Sequence, residues 1–162
     1  MIDDVVFQKI TNPSLPVMRI WENNGNEGIE IRSGEAASKN MFIGFQAGGN
    51  TKYIGNYSNN GGYNNTGIGY QSLYTNITGG SNTAMGAKAL FSNINGGSNV
   101  AIGGLSLYSN TSGNTNIAIG SSALYSNTIG LENIAIGDLT LYKNTEGYTN
   151  IAIGREALEN NT

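Results

Sequence analysis

Six glycines, Gly69, Gly86, Gly103, Gly120, Gly137 and Gly154, stand 17 residues apart, and the register never slips. A fixed period of this length marks a repeat array, in which each copy buries its apolar face only by stacking on its neighbours. Counted from the leading asparagine, column one holds Asn65, Asn82, Asn99, Asn116, Asn133 and Asn150. Column nine holds Leu73, Leu90, Leu107, Leu124, Leu141 and Leu158, and column twelve Asn76, Asn93, Asn110, Asn127, Asn144 and Asn161.

Composition decides between helices and strands as the filling of that period. With 24 Gly and 25 Asn in 162 residues, helix is disfavoured throughout, whereas both residue types take positive φ readily and suit tight turns. In Asn116-Ile117-Ala118-Ile119-Gly120 the second and fourth columns are large and apolar and the third is small, which is the alternation of a strand. Both faces of that strand are expected to be buried, with Ile119 and Leu124 in the stacked core and Ser121 and Ser122 in a turn. Ser122-Ala123-Leu124-Tyr125 is expected to form a second strand. The aromatic column Tyr74, Phe91, Tyr108, Tyr125 and Tyr142 is expected to pack in the core or between subunits, a sugar-stacking platform being the alternative if it is exposed. Column-twelve Asn followed by Gly79, Gly96, Gly113, Gly130 or Gly147 is turn chemistry, with Gly supplying positive φ. Copies stacked ~4.8 Å apart would align the asparagines into amide ladders. The expected fold is therefore all-β, a parallel β-solenoid whose six 17-residue repeats span 65–162.

The array extends upstream as irregular lead-in coils over 40–64, through Met41-Phe42-Ile43-Gly44 and Lys52-Tyr53-Ile54-Gly55. Residues 1–39 read as a small N-terminal β-hairpin cap or connector. There Val5-Val6-Phe7, Val17–Trp21 and Gly28–Arg32 alternate like strands, with Asn23-Asn24-Gly25-Asn26 as the hairpin turn.

The copies at 82–93 and 116–127 resemble the repeats of bacteriophage tail-fibre and related virion-fibre proteins. They also look like a longer version of the Ser-x-Ala-Ile-Gly coils in the heads of YadA-type trimeric autotransporter adhesins. Asn40-Met41-Phe42-Ile43-Gly44-Phe45-Gln46-Ala47-Gly48 is similar to a motif that often precedes such arrays in phage fibres. The resemblance covers 40–162 and implies a left-handed β-roll, assembled as a homotrimer and serving attachment to a host surface. The unit is longer than the adhesin-head coil, and these residues include no coiled coil, membrane anchor or self-cleaving chaperone domain. A segment of a longer fibre is expected.

Several chemistries are excluded. The chain has no His and no Cys, so histidine-based triads and imidazole or thiolate metal sites are out. A net charge of −3 without a basic stripe gives no footprint for nucleic acid. No run approaches the ~20 apolar residues of a membrane span, so membrane insertion is not expected, and no basic n-region with an apolar run opens the chain. The charges of the array are scattered, without the paired carboxylates a glycosidase needs, and Arg155-Glu156 reads as a solvated pair. Calcium-binding nonapeptide repeats need an Asp in every unit, and the array has Asp138 alone. No catalytic, cofactor-binding or metal residues are expected, and the chain is read as a non-enzyme.

Columns six, seven, fourteen, sixteen and seventeen vary freely between copies, as surface turns do. Candidate binding residues in those turns are Tyr70, Gln71, Lys88, Asp138, Tyr148, Arg155 and Glu156. The expected role is a segment of a phage tail or head fibre, located in the virion, that spaces or presents a receptor-binding surface. Its partners would be two further copies of itself, other fibre or tail proteins, and a host-surface glycan or protein. The alternatives are the head domain of a bacterial surface adhesin and, more weakly, an ice-binding solenoid. For the latter, Thr111, Thr128, Thr145 and Thr162 do stack, but Ile77 and Ile94 interrupt their column.

Overall fold

The computed structural model describes residues 18–21, 27–33, 39–51 and 62–162. Strands β1 (Met18–Trp21) and β2 (Glu27–Ser33) are followed by β3 (Met41–Ile43). Each 17-residue copy then contributes one three-residue strand: β4 (Thr66–Ile68), β5 (Thr83–Met85), β6 (Val100–Ile102), β7 (Ile117–Ile119), β8 (Ile134–Ile136) and β9 (Ile151–Ile153). The nine lie in one sheet in chain order. From β3 to β9 every pairing is parallel and joins like columns, Ile117 to Ile134 and Ala118 to Ala135 for example. The chain is thus all-β, with seven parallel strands wound as a β-solenoid.

β1 pairs antiparallel with β2 and β2 antiparallel with β3, so the parallel ladder gives way to antiparallel pairing at its N-terminal end. β3 pairs directly with β4, and Asn65 N donates to Asn40 Oδ1 across an offset of 25 residues, where later coils keep 17. Column one therefore begins at Asn40, one 25-residue interval before Asn65. Val5–Phe7, the 23–26 turn and Lys52–Gly55 lie outside the described residues.

The interior is thin. Columns three, eight and nine fill its apolar half: Ala84, Ala101, Ala118 and Ala135, then Ala89 and Ala123, then the leucines from Leu73 to Leu141, all fully buried. At the base Phe42 takes the place of the column-three alanine, and two glycines make room for its ring. A Cβ on Gly67 would come within 2.9 Å of Phe42 Cδ1, and one on Gly48 within 2.5 Å of its Cε2.

Columns one and twelve fill the other half with buried amides. In column twelve each Nδ2 donates to the Oδ1 of the coil before, from Asn93 to Asn76 at 2.7 Å through Asn161 to Asn144 at 3.2 Å. In column one the Oδ1 of each coil accepts the backbone N–H of the next Asn, as from Asn116 N to Asn99 Oδ1 at 2.9 Å. Both columns then donate to one carbonyl: Asn116 Nδ2 and Asn127 Nδ2 reach Gly130 O at 2.8 and 3.2 Å. Asn116 spends both amide hydrogens and its oxygen in this way, which is what makes a buried amide tolerable.

Three expectations need correction. First, the second strand is absent. Ser122 and Leu124 have φ of 54° and 52°, and the same signs recur in columns seven and nine of every coil. The segment is a run of β-turns: Ala123 N bonds back to Gly120 O and Asn127 N to Leu124 O, while Ser122 N and Leu124 N reach the coils before and after. Ala123 and Leu124 are neighbours yet both point inward, which a strand forbids. A left-handed leucine costs about 1–2 kcal/mol. Burying its side chain recovers roughly 2–5 kcal/mol, by the cost of truncating core leucines.

Second, the small face of the strand is the interior and the bulky face is the outside. Ile119 is 36% exposed on the single chain, as is Ile102, because the inward leucine of column nine leaves space for only Ala or Gly opposite. Third, the column-fifteen glycines do not have positive φ; they are required by crowding. A Cβ on Gly96 would meet Gly113 O at 2.5 Å and Asn110 Nδ2 at 2.8 Å. Positive φ belongs to column five, as at Gly120 with 137°.

Asn127→Ala leaves Asn110 Oδ1 without its donor and removes one of the two acceptors of Asn144 Nδ2. It should cost about 2 kcal/mol or more, whereas Ser121→Ala should stay within about 0.5 kcal/mol. Denaturant melts of the two variants check this; equal midpoints would show that the ladder carries no weight.

Candidate functional site

Stacking consumes the interior, so recognition is left to what the coils present outward. Columns two and four form a stripe along the sheet: Thr66, Thr83, Val100, Ile117 and Ile134 are half-buried, and Met85, Ile102 and Ile119 more open at 36–41% exposure. Beside it the aromatic column forms a continuous stack. Tyr74, Phe91, Tyr108, Tyr125 and Tyr142 lie with ring centroids 5.1–5.4 Å apart and planes within 14° of parallel. These rings are half-buried on the outside rather than in the core. Each inner ring has both faces covered by its neighbours, so only edges meet solvent. A sugar needs a free face, and this column does not offer a row of them.

The candidate turn residues divide into four groups. Tyr70 stacks on Phe45 with centroids 6.0 Å apart, and Gln71 Nε2 donates to Gln46 Oε1 at 2.6 Å, so both are tied to the coil before. Lys88 holds its Nζ 5.7 Å from the centre of the Phe91 ring. Asp138, Arg155 and Glu156 come together, with Arg155 Nη2 2.9 Å from Glu156 Oε1 and Arg155 Nε 3.7 Å from Asp138 Oδ2. All three side chains are about half exposed or more, so these are screened surface pairs. Among the described residues Tyr148 is the most exposed ring, at 71%, and it belongs to the separate turn of columns fourteen to seventeen.

That second turn also holds a depression absent from the candidate set, lined by Tyr63, Thr78, Gly80, Ser81, Asn95, Gly97 and Ser98. Its signal in the sequence is the doublet Gly79-Gly80 repeated as Gly96-Gly97, where the second glycine stands in a column that elsewhere carries Asn114, Leu131 and Tyr148. Among the described residues no group of three or more acidic side chains is placed to hold a metal ion, and no helix is long and apolar enough to cross a membrane. No protein-family model, curated protein or solved structure matches the chain.

The ring stack should matter for stability and the ion cluster should not. Tyr108→Phe should be nearly neutral, since Phe91 occupies the same column, while Tyr125→Ala should lose about 1 kcal/mol beyond its buried area. Asp138→Ser and Arg155→Ser should each stay within about 0.5 kcal/mol. Thermal melts read all four; a large loss on removing Arg155 would mean that the cluster braces the last coil.

Proposed function

We propose that the chain is a rod segment of a bacteriophage virion fibre, wound as a left-handed roll and assembled as a parallel homotrimer that presents its turns to a host surface. The observation that carries this reading is the aliphatic stripe. A lone solenoid in water would leave Met85, Ile102 and Ile119 in a continuous apolar line, and such lines on soluble proteins are contact surfaces. Stripes meeting on a common axis would remove it from water.

The grading of the stripe favours parallel over antiparallel pairing. Column two runs Thr66, Thr83, Val100, Ile117, Ile134, Ile151 along the rod. Parallel copies bring the Ile-rich ends together and leave the threonines facing one another; antiparallel copies bury threonine hydroxyls against isoleucine. Threefold symmetry and left-handed winding rest on the resemblance to fibre and adhesin-head repeats. The antiparallel pairing of β2 on β3 supports a capping role for the N-terminal segment, because it closes the parallel ladder's edge. A rod with its interior filled by amide ladders and leucine is suited to spacing and display, with avidity multiplying weak contacts at its turns.

Native mass spectrometry of the chain at micromolar concentration should show a trimer. Ile102→Asp with Ile119→Asp should shift it to monomer while the amide-ladder coils remain folded by circular dichroism. A folded parent monomer would remove the oligomeric rod, and a trimer that survives both changes would move the interface off the stripe.

A further inference from the structure

We propose that the depression lined by Tyr63, Gly80 and Gly97 is a binding site for one ring of a neutral saccharide, a reading that rests on the attachment rod proposed above and gives it a specific point of contact. The depression has a volume of about 330 Å³, at the small end of the roughly 300–1,000 Å³ of ligand pockets. It exists because column sixteen is glycine in two successive coils. Gly80 and Gly97 form its floor, Thr78 and Asn95 from column fourteen one side, and Ser81 and Ser98 from column seventeen the other.

Three features define the ligand. None of the seven lining residues is charged, which disfavours phosphates, carboxylates and cationic peptides. Three hydroxyls, of Thr78, Ser81 and Ser98, and the Asn95 amide line it, and among the described residues these four side chains make no hydrogen bond to protein. The amides of columns one and twelve, by contrast, are consumed by the ladders. Sugars present matching hydroxyls in a ring. The third feature is Tyr63 at the N-terminal end of the floor: a Cβ on Gly80 would touch its Cε1 and Cζ at 3.4 Å. Among the described residues Tyr63 stacks on no other ring, unlike the column from Tyr74 to Tyr142. With no described ring on it, its face would take the apolar side of a sugar, the arrangement that a continuous ring stack denies. Outside the lining, Asn114 holds the Gly97 backbone in place, its Oδ1 accepting Gly97 N at 2.7 Å and its Nδ2 donating to Ser112 O at 2.7 Å.

The repeat supplies a test that leaves the fold alone. Column sixteen accepts leucine at 131 and asparagine at 114, and neither Gly80 nor Gly97 has positive φ, so Gly97→Leu and Gly97→Asn fill the depression with side chains the solenoid already carries. The full chain would be titrated with soluble oligomers of glucose, galactose, mannose and N-acetylglucosamine, followed by saturation-transfer NMR, with melting temperature and light scattering read on the same samples. The parent is expected to bind at least one series weakly, Gly97→Leu to lose the signal with its melting temperature nearly unchanged, and Tyr63→Ala to weaken binding by about tenfold. Absence of binding to all four series, or equal binding by the parent and Gly97→Leu, overturns the site. Light scattering separates the two proposals: a trimer without sugar binding loses only the groove, and a sugar-binding monomer loses only the trimer.

Discussion

Each regular coil depends on the next through hydrogen bonds between identical amides 17 residues apart. This couples sequence to structure unusually tightly, because an asparagine in column twelve is satisfied only if the neighbouring coil places its own asparagine at the same height and angle. An apolar filling would pack as well against its image but would tolerate sliding. Two amide columns that share the column-fifteen carbonyl admit no slip, and they leave room for glycine alone at that carbonyl's residue. The repeat is therefore strict where the amides act and loose where they do not.

The thin interior follows from the same economy. One strand residue, one leucine and the small residue of column eight complete the apolar half of each coil, so the sheet must turn its bulk outward. That inversion places Ile102 and Ile119 on the surface of the chain, so that a folding constraint leaves an apolar stripe facing outward. The positions freed from stacking carry the variation: paired glycines at 80 and 97 open a polar depression, and Asp138, Arg155 and Glu156 make a solvated ion cluster further along the rod.

Period, parallel stacking and the amide ladders were all legible in the sequence, because each is a property of columns and the columns do not drift. What resisted reading was backbone conformation within the coil. Ala123, Leu124 and Tyr125 have the apolar pattern of a strand, and nothing in their identities announces that Ser122 and Leu124 have left-handed φ. Leucine is a poor choice for that conformation by local preference, and only the inward volume at column nine explains it. The column-fifteen glycines showed the converse error: a residue typical of positive φ was required for its lack of a side chain. The candidate turns were found through the columns that vary between copies, which drew attention to Tyr70 and Arg155 and passed over Gly80 and Gly97, whose contribution is the space they leave.

The central claim is that the 17-residue offset, rather than composition, holds the rod together, and removal of one coil tests it most directly. Deleting residues 116–132 joins Thr115 to Asn133 and restores every column, so Asn133 should take the place of Asn116 on Asn99. That variant should fold and melt in one cooperative transition close to the parent. Deleting 116–131 removes one residue fewer and puts Glu132 where the ladder needs an amide; it should lose the coils beyond the junction and melt far lower. Equal stability of the two deletions would contradict the account.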